Sequence, residues 1–344
     1  MKKAINVAVI GTGFGELVHI PGYSLHPKYE VKGILGRTTE KTSEVAKKHN
    51  IQAYSSLEEI LDDTEIDMVS IATIPKLHYP YAKAAIDKGK HVILEKPMAM
   101  DSAESLELLS AAKRKNVFHA IVHEHRFDPA KAFAKEILQS GRIGTLRSIN
   151  IQKYMVYWSH PMLGRNYDWF SQKEMGGGMT GAHLSHMMDF LLFIADQGIK
   201  SVIGQSFTEV KERYCVETDK MENQTSDDTV YAIIEMDGGV NCIVDISAAR
   251  HKPEDKITLH CSEGSIRITG QNDIAVYDKE GKLLESSVPT RLCITDYESD
   301  FRINTFVVLL ECFYQHYFNG MRQELPTFET GHTIQKALES IQKE

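Results

Sequence analysis

The chain has 344 residues, which is enough for two domains with their own hydrophobic cores. Its content of 42% hydrophobic and 25% charged residues is that of a globular protein and excludes a disordered or fibrous chain. A net charge of −8 argues against nucleic acid or an anionic membrane surface as the main partner. No apolar stretch approaches the length of a membrane span. From the charge and from this absence, respectively, we expect no nucleic acid and no membrane among the partners.

The first third of the chain alternates between strand-like and helix-like segments. Five runs are apolar at consecutive positions, as strands buried on both faces of a parallel sheet are: 5–11, 30–37, 67–73, 90–96 and 117–122. The helical segments between them begin at capping residues, such as Thr38 or Thr39 and Asp101 or Ser102. This alternation predicts an α/β Rossmann domain over residues 1–122, with helices on both faces of the sheet.

A glycine-rich loop, GTGFGE, follows the first predicted strand and should open a helix. Gly11 permits a tight turn, and Gly13 lets a pyrophosphate approach the backbone at the positive end of that helix. Glu16 stands where the third glycine of the usual fingerprint falls, and Gly15 is one place early. A lone glycine motif can be a plain turn, but within five alternating strands it predicts a dinucleotide site.

The end of the second strand bears on which dinucleotide is bound. A carboxylate there would hold the ribose hydroxyls of NAD, but this chain has Gly36, followed by Arg37 and Thr38. A guanidinium beside a hydroxyl suits a 2′-phosphate, although Arg37 can equally be a surface residue at a helix start. The pattern favours NADP over NAD.

After residue 121 the alternation ends and the pattern becomes that of an antiparallel sheet framed by helices. Strand-like runs separated by turn signals predict an α+β domain over 123–344 with a large, mostly antiparallel open sheet: 145–158, 200–212, 228–239, 240–250, 256–268 and 274–281. Helices are predicted over 128–141, 181–196, 303–320 and 333–344. An open sheet with one free face favours a homodimer or homotetramer through that sheet.

The fourth strand of the first domain ends in Glu95, Lys96 and Pro97. Ligands of parallel sheets lie at the carboxyl ends of the strands, so these side chains should reach a ligand there. A lysine at that edge can polarise a hydroxyl or carbonyl oxygen or relay its proton. Pro97 fixes the turn, and a cis peptide bond is expected before it, although a solvated Lys-Pro turn would look the same in sequence.

Four stretches in one order resemble the Gfo/Idh/MocA family of oxidoreductases, named for glucose–fructose oxidoreductase, inositol dehydrogenase and rhizopine catabolism. They are VAVIGTGFG, VSIATIPKLHYPYAKAAIDKGKHVILEKPMA, HRFDPAKAFAKEILQSGRIGTLRSI and GGGMTGAHLSHMMDFL. The resemblance covers essentially the whole chain. It implies an enzyme that binds NAD or NADP in the first domain and oxidises or reduces a sugar, cyclitol or related polyol.

The resemblance also assigns roles to residues of this chain. It implies that Lys96 and His186 are catalytic and handle the proton on the reacting oxygen. The implied cofactor-binding residues are Gly11, Thr12, Gly13, Phe14, Gly15, Arg37, Thr38, Ala72, Thr73, Ile74, Pro75, His78, Glu95 and Lys96.

The chain departs from the family pattern in the glycine-rich helix of the second domain. Ala182 stands where the family commonly has an aspartate, one helical turn before His186. His183 and Asp189, three residues to either side of His186, are candidates to compensate for the missing acid. The departure leaves the substrate and the mechanism open.

Substrate selection is predicted in the loop before that helix, which is rich in aromatic and charged residues suited to a sugar. The same loop could instead be an ordinary surface or oligomer contact. The candidate substrate residues are Arg126, Tyr157, Arg165, Trp169, His183 and Asp189. No histidine or acidic cluster has a recognised metal spacing, so we expect no metal.

Two other functions are compatible with the same motifs. One is an enzyme that cleaves glycosides with a transient redox step on the cofactor. The other is a regulator that binds dinucleotide or sugar without turnover, which Ala182 favours and the retained Lys96 and His186 disfavour. The five scattered cysteines (Cys215, Cys242, Cys261, Cys293 and Cys312) form no CxxC pair, which predicts reduced thiols and a cytoplasmic location.

Overall fold

The computed structural model describes residues 4–162, 164–292, 300–321 and 324–343. Two predictions above include Cys293 and Glu344, which lie outside these ranges. The chain divides into two compact units. The first runs to Glu124 and takes in helix α8 (Phe301–Phe318) and the start of α9 (Phe328–Glu339) as far as Gln335. The second begins at His125 and resumes at Lys336.

The first unit is built on a parallel six-stranded sheet in the order β3-β2-β1-β4-β5-β6. This arrangement confirms the predicted Rossmann fold and all five predicted strands. The sixth strand, β3, has two residues and is too short to carry a periodic signal. The bounds are β1 Ile5–Ile10, β2 Tyr29–Leu35, β3 Gln52–Ala53, β4 Met68–Ile71, β5 His91–Leu94 and β6 His119–Ile121.

The helices of the first unit begin where the capping residues indicate. Thr38 caps α2 and Asp101 caps α5, each by accepting a hydrogen bond from a backbone N–H three residues on. Both helices end at an asparagine in the left-handed conformation, Asn50 and Asn116. The bounds are α1 Ile20–Leu25, α2 Thr39–His49, α3 Leu57–Asp62, α4 His78–Asp87 and α5 Ser102–Lys115, with a π-helical turn at Gly15–His19 directly before α1.

Helix α8 belongs to the first unit, whereas the sequence placed it in the second domain. Its Phe306 is fully buried and stacks on the His19 ring, with the centroids 4.4 Å apart. A Cβ on Gly22 would lie 2.5 Å from Phe306 Cδ1, so only glycine lets α1 approach this closely. The apolar face of α8 is therefore buried against α1, a partner that no local pattern could reveal.

The second unit contains a nine-stranded sheet in the order β16-β15-β14-β13-β7-β12-β11-β8-β17. The pairs are antiparallel except β12 with β7 and β17 with β8, which confirms a large, mostly antiparallel sheet. The bounds are β7 Leu146–Tyr154, β8 Ile199–Phe207, β11 Thr229–Met236, β12 Asn241–Ser247, β13 Glu254–Cys261, β14 Gly264–Thr269, β15 Asp273–Asp278, β16 Leu283–Glu285 and β17 Ile341–Lys343.

Three details of the second unit differ from the expectation or extend it. A separate hairpin, β9 (Glu212–Cys215) with β10 (Lys220–Asn223), was not foreseen. Residues 256–268 form two strands, β13 and β14, joined at the SEGS turn. The predicted last helix was wrong at its end, because α9 stops at Glu339 and residues 341–343 pair with β8 as the edge strand of the sheet. The remaining helices are α6 (Pro129–Gln139) and α7 (Ser185–Ala195).

None of the helices in the described ranges is both long and apolar enough to cross a membrane.

Candidate cofactor and substrate sites

The glycine loop has the geometry that a bound pyrophosphate requires. Gly11 has φ +120°, and a Cβ there would lie 2.2 Å from the carbonyl oxygen of Ala72, so no other residue fits this turn. A Cβ on Gly13 would meet no atom within 4 Å, which leaves open space above the loop backbone. The residues present therefore fit the phosphates of a dinucleotide at the start of the π-helical turn.

The displaced third glycine is explained by packing. A Cβ on Gly15 would lie 2.9 Å from Val9 Cγ1, so Gly15 supplies the close helix–strand contact that the third glycine of the fingerprint provides. Glu16 points to α2 instead, where its Oε1 accepts a hydrogen bond from Lys48 Nζ at 2.9 Å. Glu16 therefore ties two helices together and leaves the phosphate loop clear.

At the end of β2 the packing excludes the acid that an NAD site usually has. A Cβ on Gly36 would lie 2.5 Å from Thr12 Cγ2 and 2.8 Å from Thr42 Oγ1. Thr38 is the N-cap of α2, where its Oγ1 accepts from a backbone N–H at 3.4 Å. Arg37 is exposed, and none of the described acidic residues pairs with it. An exposed guanidinium thus follows β2, where the sequence predicts the adenosine ribose.

Glu95 takes part in a buried hydrogen-bonded chain that sequence reasoning missed. Its Oε1 lies 3.1 Å from His19 Nε2, while His19 Nδ1 lies 2.8 Å from Ser70 Oγ, which accepts from Tyr23 Oη at 3.0 Å. The chain therefore runs from the Tyr23 hydroxyl through Ser70 and the His19 ring to the Glu95 carboxylate. Burial raises the pKa of Glu95, but the His19 hydrogen bond and nearby positive charge outweigh burial and hold the pKa below its usual value.

His78 joins the loops after β4 and β5. Its Nδ1 lies 2.7 Å from the Pro97 carbonyl oxygen and its Nε2 lies 3.1 Å from the Thr73 carbonyl oxygen. Only a protonated His78 ring could donate to both carbonyl oxygens. The two carbonyls raise the pKa of His78, but complete burial lowers it by more, so the pKa lies below its ordinary value. The peptide bond between Lys96 and Pro97 is cis, which confirms that expectation.

All the predicted cofactor residues lie on loops at one edge of the parallel sheet. They follow β1 (Gly11 to Gly15), β2 (Arg37 and Thr38), β4 (Ala72 to Pro75, with His78 opening α4) and β5 (Glu95 and Lys96). These are the carboxyl ends of neighbouring strands, where open α/β sheets bind nucleotides.

In the second unit a glycine-rich turn leads into the helix that carries His186. Gly178 has φ +108°, and a Cβ there would lie 2.4 Å from Asp227 Oδ1. Asp227 Oδ2 accepts from Thr180 N at 2.8 Å and from Thr180 Oγ1 at 2.9 Å. Asp227 therefore anchors the π-helical turn Thr180–Leu184 that precedes α7. Asp227 was not predicted from the sequence, because nothing in its local pattern distinguishes it from the neighbouring Asp228.

The two histidines of this helix have different surroundings within the second unit. The buried His186 stacks on His125 with the ring centroids 4.1 Å apart and the planes 11° from parallel. His183 Nε2 lies 2.9 Å from Tyr157 Oη. Burial raises the pKa of Tyr157 to about 12, so its hydroxyl keeps its proton at neutral pH. Two of the candidate substrate residues, Tyr157 and His183, are thus brought together.

Asp189 and Arg126, two further candidates, pair with each other. Arg126 Nε donates to Asp189 Oδ2 at 2.9 Å, and Arg126 Nη2 donates to Asp189 Oδ1. Both side chains are buried, and the guanidinium lies over the Phe193 ring at 5.3 Å. Arg126 engages both oxygens of Asp189, and the pair holds α7 to the segment before α6.

In the predicted substrate loop, Arg165 pairs with Asp168, with Nε donating to Oδ2 at 3.0 Å. The Arg165 guanidinium lies over Trp169 at 5.8 Å and over Phe170 at 4.8 Å. Arg165 is exposed and Trp169 is half-buried, whereas Phe170 is buried beneath them, so a charged and an aromatic side chain lie side by side as sugar sites require.

Together, a Rossmann sheet, a glycine loop open to phosphates and a lysine at the carboxyl edge define a dinucleotide-dependent oxidoreductase. Two family models match the chain: "Oxidoreductase family, NAD-binding Rossmann fold" over residues 5–123 and "GFO/IDH/MocA C-terminal domain" over residues 132–267. An uncharacterized oxidoreductase of Synechocystis sp. is 32% identical over 96% of this chain and 92% of its own length. The chain belongs to the Gfo/Idh/MocA family of oxidoreductases.

Relatives with named substrates match part of the chain. A levoglucosan dehydrogenase of Pseudarthrobacter phenanthrenivorans is 31% identical over 56% of this chain and 52% of its own. A D-xylose dehydrogenase of Paenarthrobacter nicotinovorans is 30% identical over 64% of this chain and 58% of its own length. A solved levoglucosan dehydrogenase in complex with NADH and levoglucosan has the same fold, with a TM-score of 0.88, 24% identity and coverage of 98% of this chain and 96% of that one.

Proposed function

We propose that this protein is an NAD(P)-dependent dehydrogenase that transfers a hydride between the nicotinamide and a sugar, cyclitol or related polyol or carbonyl compound. The observation that carries the proposal is the meeting of four cofactor loops at the carboxyl edge of the sheet, with Glu95 and Lys96 on the loop after β5. The names of the relatives, levoglucosan dehydrogenase and D-xylose dehydrogenase, support a sugar as substrate.

In this proposal Lys96 and His186 manage the proton of the reacting oxygen. The nicotinamide, when bound, gives or takes the hydride, and the protein supplies position and charge. Lys96 stabilises negative charge on the oxygen, and His186 accepts or returns the proton. Replacing either residue should lower kcat by at least about 100-fold while NADH binding persists. Turnover left intact in both Lys96→Met and His186→Ala would rule out these roles.

We propose NADP as the preferred cofactor, with NAD as the alternative. The exposed Arg37 and the steric exclusion of an acid at Gly36 support this preference. The NADH found in the solved levoglucosan dehydrogenases belongs to those proteins and supports the alternative. Titrating the protein with NADPH and NADH decides between them, and Arg37→Ala should weaken NADPH alone, by roughly tenfold.

The substrate is proposed to meet the surface formed by Tyr157, His183, Arg165 and Trp169, whose contacts are described above. A panel of aldoses, anhydrosugars and inositols, followed by the nicotinamide absorbance, identifies the substrate class. Binding of a dinucleotide without turnover across the panel would favour the regulator, which the missing acid at Ala182 supports. Conversion of a glycoside with no net change in cofactor would favour the cleaving enzyme.

The second unit also supports the proposed homo-oligomer. Ile233 on β11 lies opposite Ile203 on β8 and Ile243 on β12, and the three side chains are 56%, 74% and 56% exposed. An uncharged row across three strands is self-complementary, which suits a second copy of this chain related by a two-fold axis. The thiols of Cys215, Cys242 and Cys261 support the proposed cytoplasmic location.

A further inference from the structure

A positive charge from the far end of the chain lies beside the glycine loop. Arg302, in the first turn of α8, places its guanidinium carbon 5.2 Å from the centroid of the Phe14 ring. Phe14 stands between Gly13, above which the space is open, and Gly15, where the π-helical turn begins. The guanidinium therefore lies next to the loop whose backbone N–H groups would face a phosphate of the cofactor.

Asp300 holds this guanidinium in place. Arg302 Nε donates to Asp300 Oδ1 at 2.9 Å and to Oδ2 at 3.1 Å, and Nη2 donates to Oδ2 at 2.5 Å. Asp300 is also the N-cap of α8, since its Oδ1 accepts from Arg302 N at 3.1 Å. The side chain is thus fixed at its Nε edge by a residue that is itself fixed at the helix start.

The opposite edge of the guanidinium is available to a ligand. A guanidinium has five N–H groups, and the bonds to Asp300 use those of Nε and one of Nη2. Among the residues that the structure describes, none accepts a hydrogen bond from Nη1, and the side chain is 37% exposed. Two or three donors in a planar fork match the oxygens of a phosphate.

We propose that Arg302 is a cofactor-binding residue that contacts the pyrophosphate of the nicotinamide dinucleotide. The inference rests on the proposed function and adds to it a residue outside the Rossmann segment of the sequence. The backbone N–H groups at the helix start would stabilise the negative charge of the pyrophosphate through their dipoles. The guanidinium would stabilise it through a full positive charge. Arg302 acts on cofactor affinity, and the chemical step depends on it only through occupancy.

The test compares the full-length protein with Arg302→Met, Arg302→Lys and a matched control, Arg291→Met. Arg291 likewise donates from two of its guanidinium nitrogens, Nη1 and Nη2, to one carboxylate, that of Glu136. Methionine keeps an apolar stem against Phe14 and removes the charge together with the N–H donors, including those to Asp300. NADH is titrated by its fluorescence at low and at moderate salt, and ADP-ribose and adenosine are titrated by calorimetry.

The expected result is a roughly tenfold weaker Kd for NADH and for ADP-ribose in Arg302→Met, with unchanged adenosine binding. The salt dependence of the NADH Kd should also flatten, because one cation no longer contributes. Arg302→Lys should recover part of the affinity, and Arg291→Met should match the wild type.

An NADH Kd and salt dependence equal to the wild type in Arg302→Met would overturn the inference and leave the proposed function standing. Weaker NADH binding with unchanged ADP-ribose binding would also overturn it, because the contact would then lie away from the pyrophosphate. Failure of the wild type itself to bind NADH or NADPH would instead refute the proposed function. Binding of NADH and NADPH by the wild type is therefore measured first.

Discussion

His19 Nε2 and Glu95 Oε1 lie 3.1 Å apart in the interior of the first unit, and the His19 side chain is fully buried. His19 follows the glycine loop and Glu95 directly follows β5, so their contact joins two of the four loops of the proposed cofactor site. The second carboxylate oxygen accepts from Lys96 N at 3.2 Å. One buried acid thus positions both the helix after the glycine loop and the backbone of the catalytic candidate Lys96.

Glu95→Gln should lower the stability of the protein and weaken NADH binding. A glutamine amide can serve only one of the two donors, so either His19 Nε2 or Lys96 N loses its acceptor in a buried site, at a cost of about 1–3 kcal/mol. Thermal unfolding at neutral pH measures this loss. The control is Glu311→Gln, which alters a histidine–glutamate pair whose acid is half exposed and should cost less than about 1 kcal/mol.

The stability lost in Glu95→Gln should depend on pH. Because the pKa of Glu95 is held below its ordinary 4.5 in the folded protein, its stabilising effect is present above pH 4.5 and is lost as the pH falls through the folded pKa. The difference in unfolding free energy between wild type and Glu95→Gln should therefore shrink below about pH 4.5. A difference that stays constant down to the acid limit would contradict an ionised Glu95.

His119→Asn should make the protein less sensitive to mild acid. Burial lowers the pKa of His119 from its ordinary 6.5 to about 4, and its Nδ1 accepts from Phe328 N at 3.1 Å. The unfolded chain takes up the proton first, so wild-type stability falls between pH 6.5 and about 4, by about 3 kcal/mol in total. Asparagine keeps an acceptor for Phe328 and does not titrate. Denaturant melts across this range measure the slope, and the exposed His260→Asn is the control.

Gly11→Ala and Gly13→Ala should separate folding from cofactor binding. A Cβ at position 11 collides with the carbonyl oxygen of Ala72, at 2.2 Å, so the turn must move and stability should fall by about 2 kcal/mol or more. A Cβ at position 13 meets nothing within 4 Å, so stability should change by less than about 1 kcal/mol. Its methyl group enters the space of the phosphates, and the NADH Kd should rise at least about tenfold. Unaltered NADH affinity in Gly13→Ala would place the pyrophosphate elsewhere.

Arg126→Met should destabilise the protein strongly by leaving Asp189 charged and buried without its partner. Removing one member of a buried pair costs about 3–5 kcal/mol. The double variant Arg126→Met with Asp189→Leu removes both charges and should recover much of that loss. Chemical denaturation of the four proteins gives the coupling energy. Additive effects of the two changes would show that the pair contributes nothing to stability.

Ile233→Lys should convert the proposed oligomer into a monomer. The lysine places a charge at the centre of the isoleucine row, opposite Ile203 and Ile243, where a second copy would have to bury it. Sedimentation velocity measures the mass in solution. Leu106→Lys, at a position that is 50% exposed on α5, is the control and should leave the mass unchanged. A monomeric wild type, or an oligomer that survives Ile233→Lys, would refute this interface.

Most of the first unit could be predicted because its signals are local. Apolar runs such as β1, which is buried at every position, can only be interior strands, and Thr38 and Asp101 cap the helices they precede. The second unit was harder to predict. Short strands such as β9 carry little periodicity, and residues 341–343 form strand β17 by pairing with β8, which would otherwise be the edge of the sheet.

The sequence by itself determined the class of protein, because the glycine loop and the order of apolar runs depend on neighbours along the chain. Only the tertiary structure decided which polar groups meet. Asp189 was a candidate partner for His186, but its carboxylate pairs with Arg126. Glu95 meets His19, and Arg302 lies over Phe14, each across a long separation in sequence. Such contacts depend on how whole helices and strands pack, and a buried charge takes whichever partner that packing brings within hydrogen-bonding distance.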